Sequence, residues 1–174
     1  MDNGLQKVKL GRLSHIGIVV RDLDKAVEHY SSVLGLGPFT TQVYDLKSFI
    51  YRGKTASARV RAAINNPGTA FVELVQVLEG ETVHTEFLRQ KGEGLQHVAF
   101  LVRNLDETLR ELAGSGIEPA MRLPPMTIDA PPSSGEGQPG AARPPRLQLT
   151  EVYLDSETIG GAMIQLMEYR QLPL

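Results

Sequence analysis

The chain repeats itself, and that repeat constrains its fold more than any other feature. The segment Leu13 to Asp24 aligns with Leu95 to Asp106 without a gap, 82 residues apart, and six of the twelve positions are identical. A duplicated supersecondary unit cannot bury its apolar face alone, so the two copies must pack together. Each copy reads as an apolar, β-branched strand, then a turn, then a helix. Asp22 and Asn104 are good helix N-caps, and Asp24, Asp106 and Glu107 suit a first turn. Val27, Tyr30 and Ser31 give the first helix a modest apolar face, and Leu105, Thr108, Leu109 and Leu112 give one to the second. Gly35 and either Gly114 or Gly116 fit the helix stops.

Extended segments follow each helix. In the first half they run at Thr40 to Tyr44, Ala58 to Ile64 and Ala70 to Leu78, with Asn66-Pro67-Gly68 as a turn signal. In the second they run at Met121 to Leu123, Leu147 to Leu154 and Ala162 to Tyr169. Ala70 to Leu74 corresponds to Ala162 to Leu166, now 92 residues apart. The ten extra residues fall in an interval holding eight of the 11 prolines, Pro119 to Pro145. That interval reads as a loop inserted in the second copy, unable to form a helix or a central strand. A tail over 1–10, a first βαβββ module over 11–80, a linking helix over 81–94 and a second module over 95–170 are expected. The insertion falls at about 119–146. In the linking helix Phe87 and Leu88 point inward.

Composition serves mainly to exclude. The sequence has no Cys, which removes disulfides, thiolate metal sites and a cysteine nucleophile. A net charge of −2 argues against nucleic acid as a partner. No apolar run approaches the ~18 residues of a membrane span, and Met1 to Leu10 is not a signal peptide, so a cytoplasmic protein is expected.

Four polar residues stand where the strands should be apolar. His15 and His97 occupy equivalent mid-strand positions, as do Glu73 and Gln165 on the later strands. In both copies the residue two beyond the His is small (Gly17, Ala99), which leaves space beside the imidazole for a bound group. If the halves pack about a pseudo-two-fold, two imidazoles, a carboxylate and an amide oxygen converge. That set suits one divalent ion, Zn, Co, Ni, Mn or Fe(II). The alternative is two satisfied core histidines and a Glu73 paired with an arginine. Arg59 and Arg61 are candidates for holding a carboxylate or phosphate of a substrate. Tyr44, Tyr51 and Tyr153 are further candidates for proton transfer. His29 and His84 read as surface residues.

The run His15-Ile16-Gly17-Ile18-Val19-Val20, with Asp22-Leu23-Asp24-Lys25-Ala26, Tyr30 and Leu34-Gly35, resembles the vicinal oxygen chelate (glyoxalase and bleomycin-resistance) superfamily. Glu73-Leu74-Val75 and the run Thr85 to Phe100 carry a further likeness to its methylmalonyl-CoA epimerase members. The resemblance spans nearly the whole chain except the N-terminal tail and the Pro-rich insertion. It implies an α+β fold of two βαβββ modules forming an eight-stranded, open, cup-shaped sheet with helices outside. It also implies metal ligands at His15, Glu73, His97 and Gln165, and a homodimer.

The last ligand position in the epimerases is Glu, which doubles as a base. Here it is Gln165, which offers an oxygen but takes no proton. Arg61 falls where those proteins carry a second Glu. Glu73 is then the expected catalytic carboxylate, if it leaves the metal during turnover. The activity implied is a metal-dependent isomerase, epimerase or lyase acting on a small α-oxygenated carbonyl or acyl-CoA through an enolate-like intermediate. The alternatives are an Fe(II) dioxygenase built on His15, His97 and Glu73, and a non-catalytic small-molecule binding protein of the same fold.

Overall fold

A computed structural model describes residues 8–65, 70–129, 146–156 and 160–172. The first module comprises β1 (Leu13–Val19), α1 (Leu23–Glu28), β2 (Thr40–Tyr51), β3 (Lys54–Asn65) and β4 (Phe71–Gly80). A wider helical turn, His29–Val33, extends α1. The linking helix α2 is Val83–Lys91. The second module comprises β5 (Gly94–Leu101), α3 (Leu105–Ala113), β6 (Pro119–Arg122), β7 (Met126–Asp129), β8 (Arg146–Leu154) and β9 (Met163–Gln171). No helix among the described residues is long and apolar enough to cross a membrane.

The caps read from the sequence are made. Asp22 accepts from the Lys25 backbone N–H and Asn104 from that of Glu107, both at 3.1 Å. Thr82 caps α2 in the same way through Thr85. The last strand of each module also reaches the start of its helix. Gln76 accepts from Leu23 N–H, and Glu168, 92 residues on, accepts from Leu105 N–H.

All nine strands form one sheet in the order β6-β2-β3-β4-β1-β5-β9-β8-β7. The modules meet where β1 runs antiparallel to β5, with His15 opposite Ala99, Ile16 opposite Val98 and Gly17 opposite His97. Exchanging the modules maps that register onto itself, so a pseudo-two-fold passes between Ile16 and Val98. On either side β4 and β9 add in parallel, with Glu73 opposite Gly17 and Gln165 opposite Ala99. One sheet face carries α1 and α3. Leu23 of α1 packs with Ala63 and Leu74 of the sheet, and Leu105 and Leu112 of α3 with Leu166. The other face curls into a cup.

Three expectations need correction. The cup is not fully open, because β6 bonds to β8 and also to β2 (Ile50 with Arg122, Tyr51 with Met121), closing the ring at one short seam. The Pro-rich interval begins with two strands. Pro119 opens β6, where its missing N–H costs no ladder bond, and Pro124-Pro125 separate β6 from β7 along the same neighbour. Residues 130–145 of the interval, and the Asn66-Pro67-Gly68 turn, lie outside the described residues. Finally, β2 and β3 are longer than predicted. They meet in a tight turn at Arg52-Gly53, both with positive φ, as a two-residue hairpin loop requires.

Candidate metal centre

Gly17 determines how the site can close. Opposite His97 on the neighbouring strand, it lies so near that imidazole that a Cβ would collide with the ring. The space predicted beside His15 is therefore filled by the histidine of the other module. Both rings are buried and meet edge to face, with Nε2 atoms 3.2 Å apart. Phe71 stacks on His15, and Tyr153 meets His97 edge-on.

Glu73 completes the cluster. Its Oε2 lies 3.5 Å from His15 Nε2 and 3.4 Å from His97 Nε2. Ligand atoms about 2.1 Å from one ion stand roughly 3.0–3.4 Å apart at octahedral to tetrahedral angles. The three atoms could therefore hold a metal. Burial alone would raise the Glu73 carboxyl. The hydrogen bonds and charges of His15 and His97 outweigh it and hold the carboxyl well below its ordinary range. Burial pushes the His97 imidazole down, against the pull of Glu73.

Each histidine is oriented by the residue before it. The β1–β5 register slips once on each strand, leaving Ser14 and Gln96 as extra residues. Such bulges break the alternation of side chains and re-aim them. Gln96 Oε1 thereby lies 2.6 Å from His97 Nδ1, while its Nε2 donates to Val83 O. Ser14 Oγ lies 3.4 Å from His15 Nδ1. With Nδ1 of His97 spent as the donor to Gln96, its Nε2 turns a lone pair on the site. Acceptors then face one another with nothing to bind but a cation or a proton. His84, expected on the surface, is buried on the same Gln96 Oε1 at 3.1 Å. Burial and the adjacent His97 push His84 down to about 4, so it is neutral. Sequence reasoning missed Ser14 and Gln96. The signal was a polar residue immediately before each histidine.

Gln165 holds the register position equivalent to that of Glu73. It is buried, its Nε2 donates to Glu151 at 3.2 Å, and its Oε1 has no partner. An orphaned buried oxygen on the strand beside the cluster is what a fourth ligand would present. Glu151 was not singled out in the sequence. Burial and the charge of Glu73 push its carboxyl up to about 7.

These groups border a cavity of about 810 Å³ inside the cup. His15, Glu73, His84, Glu151, Tyr44 and Tyr153 are among its walls, with aliphatic and methionine side chains making up most of the rest. Arg59 and Arg61 are not brought into it. On β3 the inward residues are Val60, Ala62 and Ile64, so the two arginines fall on the other face. There Arg61 makes a bidentate pair with Asp24 of α1, and Arg59 pairs with Asp45. Tyr51 also lies elsewhere, donating to Glu86. His29 is exposed, as expected.

Two βαβ-type modules share a cup, and the two-His-one-carboxylate cluster across their junction could hold a metal. Residues 14–129 match the Glyoxalase/Bleomycin resistance protein/Dioxygenase superfamily, and the chain belongs to that superfamily. It is 31% identical to the uncharacterized protein YqjC of Bacillus subtilis (strain 168) over 115 residues, 66% of this chain and 74% of that one. It is 32% identical to the mitochondrial methylmalonyl-CoA epimerase of Mus musculus over 105 residues, 60% of this chain. The match spans only about half (53%) of that enzyme's length.

Among solved structures, methylmalonyl-CoA epimerase from Mycobacterium tuberculosis has the same fold. Its TM-score is 0.52 at 22% identity, covering 98% of this chain and 97% of that one. A Streptomyces coelicolor epimerase variant in complex with 2-nitronate-propionyl-CoA superposes with a TM-score of 0.53 at 19% identity, covering 92% and 98%.

Proposed function

We propose that the protein is a metal-dependent isomerase or epimerase acting on an acyl-CoA or similar α-oxygenated carbonyl. The observation that carries this reading is the convergence of His15, Glu73 and His97 on one point at the wall of a closed-sided cavity. His15, Glu73 and His97 would hold the ion, and Gln165 would add its free oxygen. A bound divalent ion supplies Lewis acidity, which stabilises enolate-like charge on the substrate's oxygens. The chain's own part is to hold the imidazoles with Gln96 and Ser14 and to keep water out with an apolar cup. Apart from its two imidazoles, the wall carries no cationic side chain among the described residues. The cup therefore suits the acyl end of a substrate, and a CoA phosphate would lie outside it. We read the molecule as a cytoplasmic homodimer.

The test is elemental analysis of untagged protein, followed by exchange of the α-hydrogen of methylmalonyl-CoA and other acyl-CoA esters into heavy water. One equivalent of divalent metal and exchange lost on chelation are expected. Bound iron with substrate-dependent oxygen uptake would instead favour a dioxygenase. Protein that binds no metal at all would favour a binding protein.

A further inference from the structure

We propose that Glu151 is the group that takes the substrate's proton, and that Gln165 positions it; this rests on the isomerase reading above. The wall of the cup carries two carboxylates among the described residues, Glu73 and Glu151. Glu73 is committed, with its Oε2 within 3.5 Å of both imidazoles. Glu151 has one protein partner, the Gln165 amide on Oε1, and its Oε2 makes no hydrogen bond among the described residues. That amide holds Glu151 beside the cluster, since Gln165 stands opposite Ala99, itself opposite His15. The other polar groups on the wall are poorer acceptors. Tyr44, Tyr153 and Tyr169 carry phenols that are protonated at neutral pH. His84 is fixed in place, with its Nδ1 on Gln96 and its ring edge to face against Tyr153.

The repeat supplies a second, independent argument. Glu151 pairs with Met167 as Ala62 pairs with Val75, so the two are equivalent positions of the two modules. One module places a methyl group there and the other a carboxylate, inside the same cup. Packing has no use for that asymmetry, whereas a reaction on one side of the metal cluster does. In the step, a C–H bond next to the substrate carbonyl breaks and its proton goes to Glu151. The electron pair moves onto the carbonyl oxygen as an enolate. The carboxylic acid so formed exchanges its proton with solvent. It then delivers a proton either to the same carbon, which gives α-hydrogen exchange, or to the adjoining oxygenated carbon, which is an isomerisation. Glu151 is left ionised and the electron count is unchanged.

The test uses the metal-loaded full chain, with methylmalonyl-CoA and a panel of other acyl-CoA esters as probes. The Glu151→Gln variant keeps the Gln165 contact and the side-chain shape. Its exchange of the α-hydrogen should fall by at least ~100-fold, as loss of a positioned general base does. Its metal content, melting temperature and calorimetric affinity for methylmalonyl-CoA should stay at the wild-type level. The Glu151→Asp variant should recover part of the exchange. Wild-type exchange retained in Glu151→Gln would overturn the assignment of Glu151 and leave the isomerase reading standing. Loss of metal or of methylmalonyl-CoA binding in Glu151→Gln would also overturn it, by making the residue a structural one. No exchange by the wild-type protein on any ester would overturn the isomerase reading itself and this step with it.

Discussion

A missing Cβ decides whether the two imidazoles can meet. Because Gly17 lies under the His97 ring, Gly17→Ala must push that ring off the cluster. We expect metal affinity to fall at least ~10-fold, the scale set when a ligand's orientation is lost. Competition against a chelating dye would measure it. His84 makes a different residue-scale prediction. Its folded imidazole titrates near 4 rather than the ordinary 6.5, so the unfolded chain takes up a proton that the folded chain refuses. The stability that neutral His84 contributes is complete above about pH 6.5 and is lost as the pH drops toward 4, by about 1.4 kcal/mol per unit. His97 is shifted in the same direction and steepens the fall. Glu151, pushed up to about 7, takes up a proton in the folded chain over the same range and offsets this loss. The contribution of His84 is therefore read as the change, between pH 7.5 and pH 5, in the urea-midpoint difference between metal-free wild type and metal-free His84→Gln.

At the scale of elements, the paired bulges in β1 and β5 do what alternation alone could not. A strict period of two puts Gln96 on the opposite face from His97. The extra residue turns it back, and the same happens at Ser14. The two histidines and Glu73 were therefore legible as inward residues of apolar strands. The groups that orient them were not, because a bulge leaves no mark in the hydrophobic pattern. Gln96→Leu should weaken metal binding by about 10- to 100-fold in a metal titration while the sheet stays folded. The caps at Asp22 and Asn104 belong to this scale too and were legible, since an N-cap depends on local sequence. Replacing Asn104 by Ala removes the acceptor for Glu107 N–H and should cost about 1 kcal/mol in chemical denaturation.

At the scale of the molecule, the repeat made the two modules legible, and their symmetric register follows from it. What the repeat conceals is whatever breaks it. Glu151 escaped notice because its counterpart is Ala62, and the closing seam at β6 escaped because it rests on four residues of a Pro-rich interval. Arg59 and Arg61 were legible as a basic pair, but their face follows from where β3 curls, which composition does not encode. The symmetry also leaves surface unburied. Val33 and Leu34 are 68% and 54% exposed, and Leu36 is exposed just beyond them. β2, whose residues Thr40 to Leu46 pair only with β3 among the described residues, lies next in the chain. An apolar run beside a free strand edge is a surface that a second copy can cover. Sedimentation equilibrium should give twice the 19.1 kDa chain mass. A double change, Val33→Glu with Leu34→Glu, should shift that mass to the monomer without loss of bound metal, because neither residue touches the cup. A wild-type mass of one chain would remove the dimer from this reading of the molecule.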